Sequence, residues 1–345
     1  NPEGVADPET LLTMYAQILD IEPENDRALL ETALLYYKTG QTDLASQQLT
    51  DLGNRARHDT RLLMTAVDLY LSQKRYEDAV IVFSEMLQTD PDNDNFSFFL
   101  GMAHESSQNP EQAIEHYLKV SPAHPQYKKT LLTIAFLYRE TGETDKAVAF
   151  LEYHHQQSPE DIDILTYLAA FYEKENQLDK AMALLSRGLA DAPENTALLF
   201  RLGAVQDKAG LKDDSIATMK EVIRLDPEDA SALNYLGYTY ADLGIHLDEA
   251  ETFIRKALEI KPDDGYIIDS MGWVYFQQGD YDKAVDYLER AAQLTDYEAI
   301  IAEHLADAYV KTGQVVKALE IYHRSLVNAE KSDTELISRV TEKIR

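Results

Sequence analysis

Prolines recur every 34 residues along most of this chain: Pro91, Pro125, Pro159, Pro193 and Pro227, with Pro23 two intervals before the first. A period of that length, kept for so long, means a stack of small units rather than one globular core.

Three further columns keep the same phase. Tyrosines stand at 36, 70, 138, 172, 240, 275 and 309, with His104 and Gln206 filling the gaps. A second column is alanine: Ala45, Ala79, Ala113, Ala147, Ala181, Ala250, Ala284 and Ala318, with Ser215 once. Three residues before each tyrosine position the side chain is small, as at Ala33, Gly101, Ala135, Gly203, Gly237 and Gly272, where two helix backbones can approach closely. Gly40, Gly142, Gly210, Gly244, Gly279 and Gly313, with Asn176, then mark left-handed helix ends. Between these markers the apolar residues fall at helical spacing, as in Leu165, Leu168, Ala169 and Tyr172, so each unit reads as two amphipathic helices. Proline stops the second helix, and acidic neighbours such as Asp226, Glu228 and Asp229 favour the start of the next.

On these columns the chain resembles a tetratricopeptide repeat array, whose unit is a 34-residue helix-turn-helix with small, Tyr, Ala and Pro positions in this order. The expected fold is all-α, a right-handed superhelical solenoid. Nine repeats are placed at 26–59, 60–93, 94–127, 128–161, 162–195, 196–229, 230–264, 265–298 and 299–332, the seventh carrying one extra residue near Ile245 and His246. Residues 1–25 read as a partial repeat, second helix only, which leads to the expectation that the natural protein extends upstream. Leu336, Ile337, Val340 and Ile344 predict a capping helix over 333–345.

Charge narrows the partners. With 32 basic and 61 acidic side chains the net charge is −29, a field that repels nucleic acid and anionic membrane surfaces. No apolar stretch approaches the length of a membrane span. The absence of cysteine excludes disulfides, zinc thiolates and thiol catalysis in these residues and leaves the compartment open.

Catalytic and metal motifs do not assemble, and neither enzyme activity, cofactor nor metal is expected. Asp90, Asp92 and Asp94 alternate as in a calcium loop, but Asn95 stands where the loop needs glycine and Gly101 where it needs glutamate. His154-His155, and His116 beside Glu115, lack the i, i+4 histidine pair of a helical zinc site. Asn95-Phe96-Ser97 matches a glycosylation acceptor whose short pattern arises readily by chance.

Binding is the remaining use for so much ordered surface. The resemblance implies that the second, fifth, ninth, twelfth and thirteenth positions of each first helix line a concave groove. That places Leu30, Leu34, Tyr37, Arg61 and Met64 there, then Phe98, Met102, Leu132, Phe136, Arg139 and Phe200, and finally Tyr238, Asp242, Tyr266, Asp269, Trp273, Phe276, Glu303 and Asp307. The lone tryptophan, Trp273, has two readings: a ligand anchor, or packing between repeats near Gly272. The groove positions hold eight basic and ten acidic residues, so most of the acid lies elsewhere. Their sign changes from Arg27, Lys38 and Arg61 near the start to Asp242, Asp269, Glu303 and Asp307 near the end, which suits a polarised ligand whose basic part docks over repeats seven to nine.

A narrower resemblance covers the last third. Ala232-Leu233-Asn234-Tyr235-Leu236-Gly237-Tyr238, Leu247-Asp248-Glu249-Ala250, Pro262-Asp263-Asp264 and Asp269-Ser270-Met271-Gly272-Trp273 are similar to the C-terminal repeats of bacterial outer-membrane tetratricopeptide lipoproteins. Members of that group serve as adaptors for a periplasmic processing protease or are linked to exopolysaccharide export. The resemblance implies a non-enzymatic adaptor in the periplasm, anchored through a lipidated N-terminus absent from this sequence, with a protease, hydrolase or export component as partner. The alternative is a cytoplasmic co-chaperone or regulatory peptide-binding module, although no tight basic clamp occupies neighbouring groove positions.

Overall fold

The computed structural model describes residues 7–331 and 333–345, so the first six residues of the partial repeat and Ser332 at the end of the ninth lie outside it. The described residues form twenty helices. After α1 (Pro8–Ile21), two helices fall in each of the nine repeat intervals. They are α2 (Asp26–Lys38) and α3 (Thr42–Ala56), α4 (Thr60–Ala66, prolonged by a π turn at Val67–Ser72) and α5 (Tyr76–Thr89), α6 (Asp94–Ser106) and α7 (Pro110–Tyr117), and α8 (Tyr127–Glu140) and α9 (Thr144–Gln157). There follow α10 (Ile162–Lys174) and α11 (Leu178–Asp191), α12 (Thr196–Lys208) and α13 (Lys212–Leu225), and α14 (Ala230–Asp242) and α15 (Leu247–Ile260). The last are α16 (Gly265–Gln278) and α17 (Tyr281–Leu294), α18 (Ala299–Lys311) and α19 (Val315–Asn328), then α20 (Thr334–Ile344). Packing divides the chain into two compact units, Asn1–Tyr167 and Leu168–Arg345.

The starts of the repeats follow from a short signal. Two residues after the boundary proline stands an Asn or Asp whose side chain accepts the first free amides of the next helix: Asn25 from Ala28, Asn93 from Phe96, Asn195 from Leu198 and Asp229 from Ala232. Proline cannot continue the preceding helix, and the cap begins the next.

The turns share one conformation. Lys74, Gln108 and Asn176 take the same left-handed backbone as Gly40, Gly142, Gly210, Gly244, Gly279 and Gly313. Lys74 and Gln108 carried no glycine signal. Both bear the steric cost of that conformation, so Lys74→Gly and Gln108→Gly should each stabilise the first unit by about 1 kcal/mol, read as a rise in its urea midpoint.

Within each unit the columns form the core. All nine members of the alanine column are at most 1 % exposed. In the first unit Leu30, Leu49, Leu62, Phe83, Phe96 and Leu100 pack with the column residues, and Phe98, Tyr117, Ile134 and Leu137 follow. In the second, one cluster runs from Met219 through Leu233, Ile254, Met271, Leu288 and Leu305 to Leu336 and Val340 of α20. The small column works by contact. A Cβ on Gly272 would lie 2.6 Å from Leu288 Cγ, and one on Gly237 would lie 2.5 Å from Ile254 Cγ1 and 3.1 Å from the Ala250 carbonyl oxygen.

The third repeat departs from the pattern. Its second helix, α7, has only 8 residues where the others have 14 or 15. Pro122 and Pro125 forbid continuation, and the Asp94 carboxylate holds the released chain by accepting from the Ser121 amide at 2.9 Å. A cleft of about 580 Å³ opens there beside Tyr127, Tyr153 and His154.

Candidate functional site

The expected groove residues separate by burial into wall and core. In the first unit Leu30 and Leu34 are core, and Phe98 is buried with its ring 5.4 Å from Phe99 and 6.0 Å from Tyr117. These three correct the expectation that they line an open face: Leu30 and Leu34 pack into a cluster with Leu62 and Ala66 of the next first helix, and Phe98 is covered by Tyr117 and His124 of its own repeat. Tyr37, Met64 and Phe136 are exposed, Met102 and Leu132 half-buried, and the Arg139 guanidinium lies 4.8 Å above the Phe136 ring. The basic end is not a free clamp. Lys38 pairs with Asp78 at 2.6 Å, and Arg61 with Asp26 at 3.4 Å.

In the second unit Phe200 packs edge-on to Tyr235 at 5.8 Å, while Tyr266 is 60 % exposed and Asp242 is exposed. Trp273 is half-buried with both ring faces covered. Phe276 stacks on it at 4.6 Å and 6°, and His304 from the next repeat at 4.1 Å and 18°. Of its two readings, the geometry displays the packing one.

The acidic end is also satisfied from within. Both Asp269 carboxylate oxygens lie 3.0–3.1 Å from His304 Nδ1. Glu303 accepts from Arg339 Nε and Nη2, each at 2.7 Å, and from Lys343 Nζ at 2.8 Å. Asp307 accepts from Lys343 Nζ at 2.6 Å and from the Tyr322 hydroxyl. With Asp269 at 5 % and Glu303 at 2 % exposure, neither is an open carboxylate awaiting a basic ligand, which corrects that expectation. Sequence reasoning missed His304, Arg339 and Lys343. The signal was present, because these partners lie 35 and 36 residues apart, one period plus a step along adjacent first helices.

Burial alone would lower the His304 pKa, but the Asp269 carboxylate outweighs it and raises the value above the ordinary 6.5. Burial would raise Glu303, and the bonds from Arg339 and Lys343 reverse this, holding it below 4.5. Tyr238, Trp273, Asp307 and Arg339 complete the surroundings of His304. A raised histidine stabilises fully below pH 6.5 and loses that contribution as pH rises through its folded value; a depressed carboxylate loses its contribution as pH falls below 4.5. The first unit runs the other way. Burial lowers His104, and pushes the His116 ring, stacked 5.4 Å from it, down to about 4, so stability present above 6.5 is lost as pH falls. Between about pH 6.5 and pH 5 the first unit should therefore weaken while the Asp269–His304 pair holds. Trp273 emission should titrate above pH 6.5 and His304→Gln should abolish that step; a step unaffected by this substitution would contradict the assignment.

Hairpins built on these columns have known relatives. Models of the tetratricopeptide repeat match residues 70–133, 138–204, 175–237 and 275–336, more than half of the chain, and related models match 30–94 and 230–264. The chain belongs to the tetratricopeptide repeat family. A TPR repeat-containing protein of Pseudomonas aeruginosa is 43 % identical over 72 residues, 21 % of this chain and 12 % of the relative. Tetratricopeptide repeat protein 21A of Mus musculus is 30 % identical over 87 residues, 25 % of this chain and 7 % of that protein. The chain thus spans a small part of the curated relatives it matches. Among solved structures, a tetratricopeptide repeat protein from Parabacteroides merdae superposes with TM-score 0.58 at 15 % identity, covering 71 % of this chain and 96 % of that one. The Cut9–Hcn1 hetero-tetramer of the APC/C gives 0.54 at 17 %, covering 92 % and 64 %. At these identities the likeness is one of fold. Tetratricopeptide repeats are protein-interaction scaffolds, and no helix among the described residues of this one is long and apolar enough to cross a membrane.

Proposed function

We propose that this tetratricopeptide repeat protein is a non-enzymatic adaptor that holds a partner protein, or an extended segment of one, on its first-helix faces. The observation that carries this is the unburied apolar set on those helices: Met64 and Phe136, with half-buried Met102 and Leu132, in the first unit, and Tyr266 with half-buried Trp273 in the second. Aromatic and methionine side chains on an ordered face give large contact area at little further entropic cost. A bacterial envelope setting, with a periplasmic protease, hydrolase or export component as partner and an outer-membrane lipid anchor upstream, is our reading of the motifs over 232–273. The cytoplasmic co-chaperone alternative is less favoured because Lys38 and Arg61 are already ion-paired.

Phe136→Asp and Tyr266→Asp should each weaken capture of the partner about tenfold or more with little change in melting. Val316→Asp and Val327→Asp, on the second helix α19 and more than 80 % exposed, should leave it unchanged. The reverse pattern would overturn the assignment of the face.

A further inference from the structure

The C-terminal helix α20 sits where a tenth first helix would stand, yet it is held differently from its neighbours. Only Leu336 and Val340 of its 11 residues are buried, against nine buried residues in each of α16 and α18. A helix this short does not persist in water without a docking surface. Ile344 packs half-buried against the same cluster, and the polar side of the helix is held by ion pairs: Arg339 and Lys343, one helical turn apart, reach Glu303 and Asp307. Those carboxylates are the fifth and ninth positions of the ninth first helix, the same positions at which the fourth repeat presents Leu132 and Phe136. Beside the contact, Tyr238, Trp273, Ile300, Arg339 and Lys343 share a cleft of about 370 Å³.

We propose that α20 is a displaceable lid on this end of the first-helix face, its two cations occupying positions that the ninth repeat returns to a partner when the helix lifts. The asymmetry of attachment supports release of α20 without loss of the repeats: α18 buries nine of its 13 residues, whereas α20 rests on Leu336, Val340 and half-buried Ile344 and on cations that remain partly open to water and salt. Raising ionic strength screens the partly open Arg339 and Lys343 contacts and leaves the apolar contacts of α16 and α18 in place. The inference rests on the reading that this face receives the partner, but it is tested on α20 alone, so a failed partner assay and a failed lid assay are distinguishable.

Hydrogen exchange on the full chain provides the test. The α20 amides should exchange about tenfold faster when salt rises from about 0.05 M to about 1 M, while α16 and α18 stay constant, and R339A/K343A should reproduce the fast exchange at low salt. A labelled peptide of sequence 333–345 supplies a second readout. It should bind the full-length L336D/V340D variant at least about tenfold more tightly than the unsubstituted protein, and lose that binding when E303Q and D307N are added. Exchange of α20 that follows α18 at every salt concentration, or peptide binding indifferent to E303Q and D307N, would overturn the lid.

Discussion

Gly237→Leu should cost the second unit about 3 kcal/mol, a fall of about 10 °C in its melting temperature. A Cβ at this position already falls 2.5 Å from Ile254 Cγ1, and the Ala250 carbonyl at 3.1 Å belongs to a backbone that cannot rotate away as a side chain can. Ile254 and Ala250 are fully buried in the cluster joining α14 to α15 and α16, so the inserted volume has no exit to solvent. Relief requires parting the two helices, and each hairpin is stable only against its neighbours. Gly244→Ala tests a different property. Its left-handed backbone disfavours any side chain but faces open space, so the loss should be about 1 kcal/mol. Circular-dichroism melts would separate them, and equal small effects would mean that α14 and α15 are not packed at this distance.

The double substitution Asp269→Lys with Glu303→Lys should unfold the end of the second unit. From sequence alone these two carboxylates read as part of the basic ligand's seat, with Asp242 and Asp307. Their burial changes the expected result. Each replacement puts a cation where the neighbouring groups are already cationic: a lysine in place of Asp269 would face His304, and one in place of Glu303 would face Arg339 and Lys343. Each should therefore cost about 3–5 kcal/mol, as broken buried pairs do. Near-ultraviolet circular dichroism of Trp273, stacked on His304, would report the loss directly. Asp242→Lys, on an exposed side chain, should stay within about 0.5 kcal/mol and is the proper electrostatic probe of the face. A double variant that melts like the parent would show the ion-pair cluster to be energetically unimportant.

Repetition explains how much was legible. The small, tyrosine, alanine and proline columns each recur because one contact recurs, so nine weak signals added to a strong one, and helix pairs fall in every interval so defined. What recurs only once was not legible. The π turn at Val67–Ser72, the early end of α7 and the non-glycine turns at Lys74 and Gln108 are local solutions with no copies to reinforce them. The candidate face was read by position, and position fails where a neighbouring element covers it: Leu30, Leu34, Phe98, Asp269 and Glu303 occupy groove positions as Phe136 and Tyr266 do but are covered. Arg339 and Lys343 were hidden for another reason. The apolar spacing that predicts their helix says nothing of its polar side, which pairs with residues about one period earlier.

The most direct test is site-specific photocrosslinking of the protein in its native cell. A crosslinking residue at Phe136, Tyr266 or Met64 on the first helices should yield discrete adducts with a partner protein, and the same residue at Val316, Val327 or Ile260 on second helices should yield none. Adducts confined to the second helices would contradict the central claim that the first-helix faces do the binding.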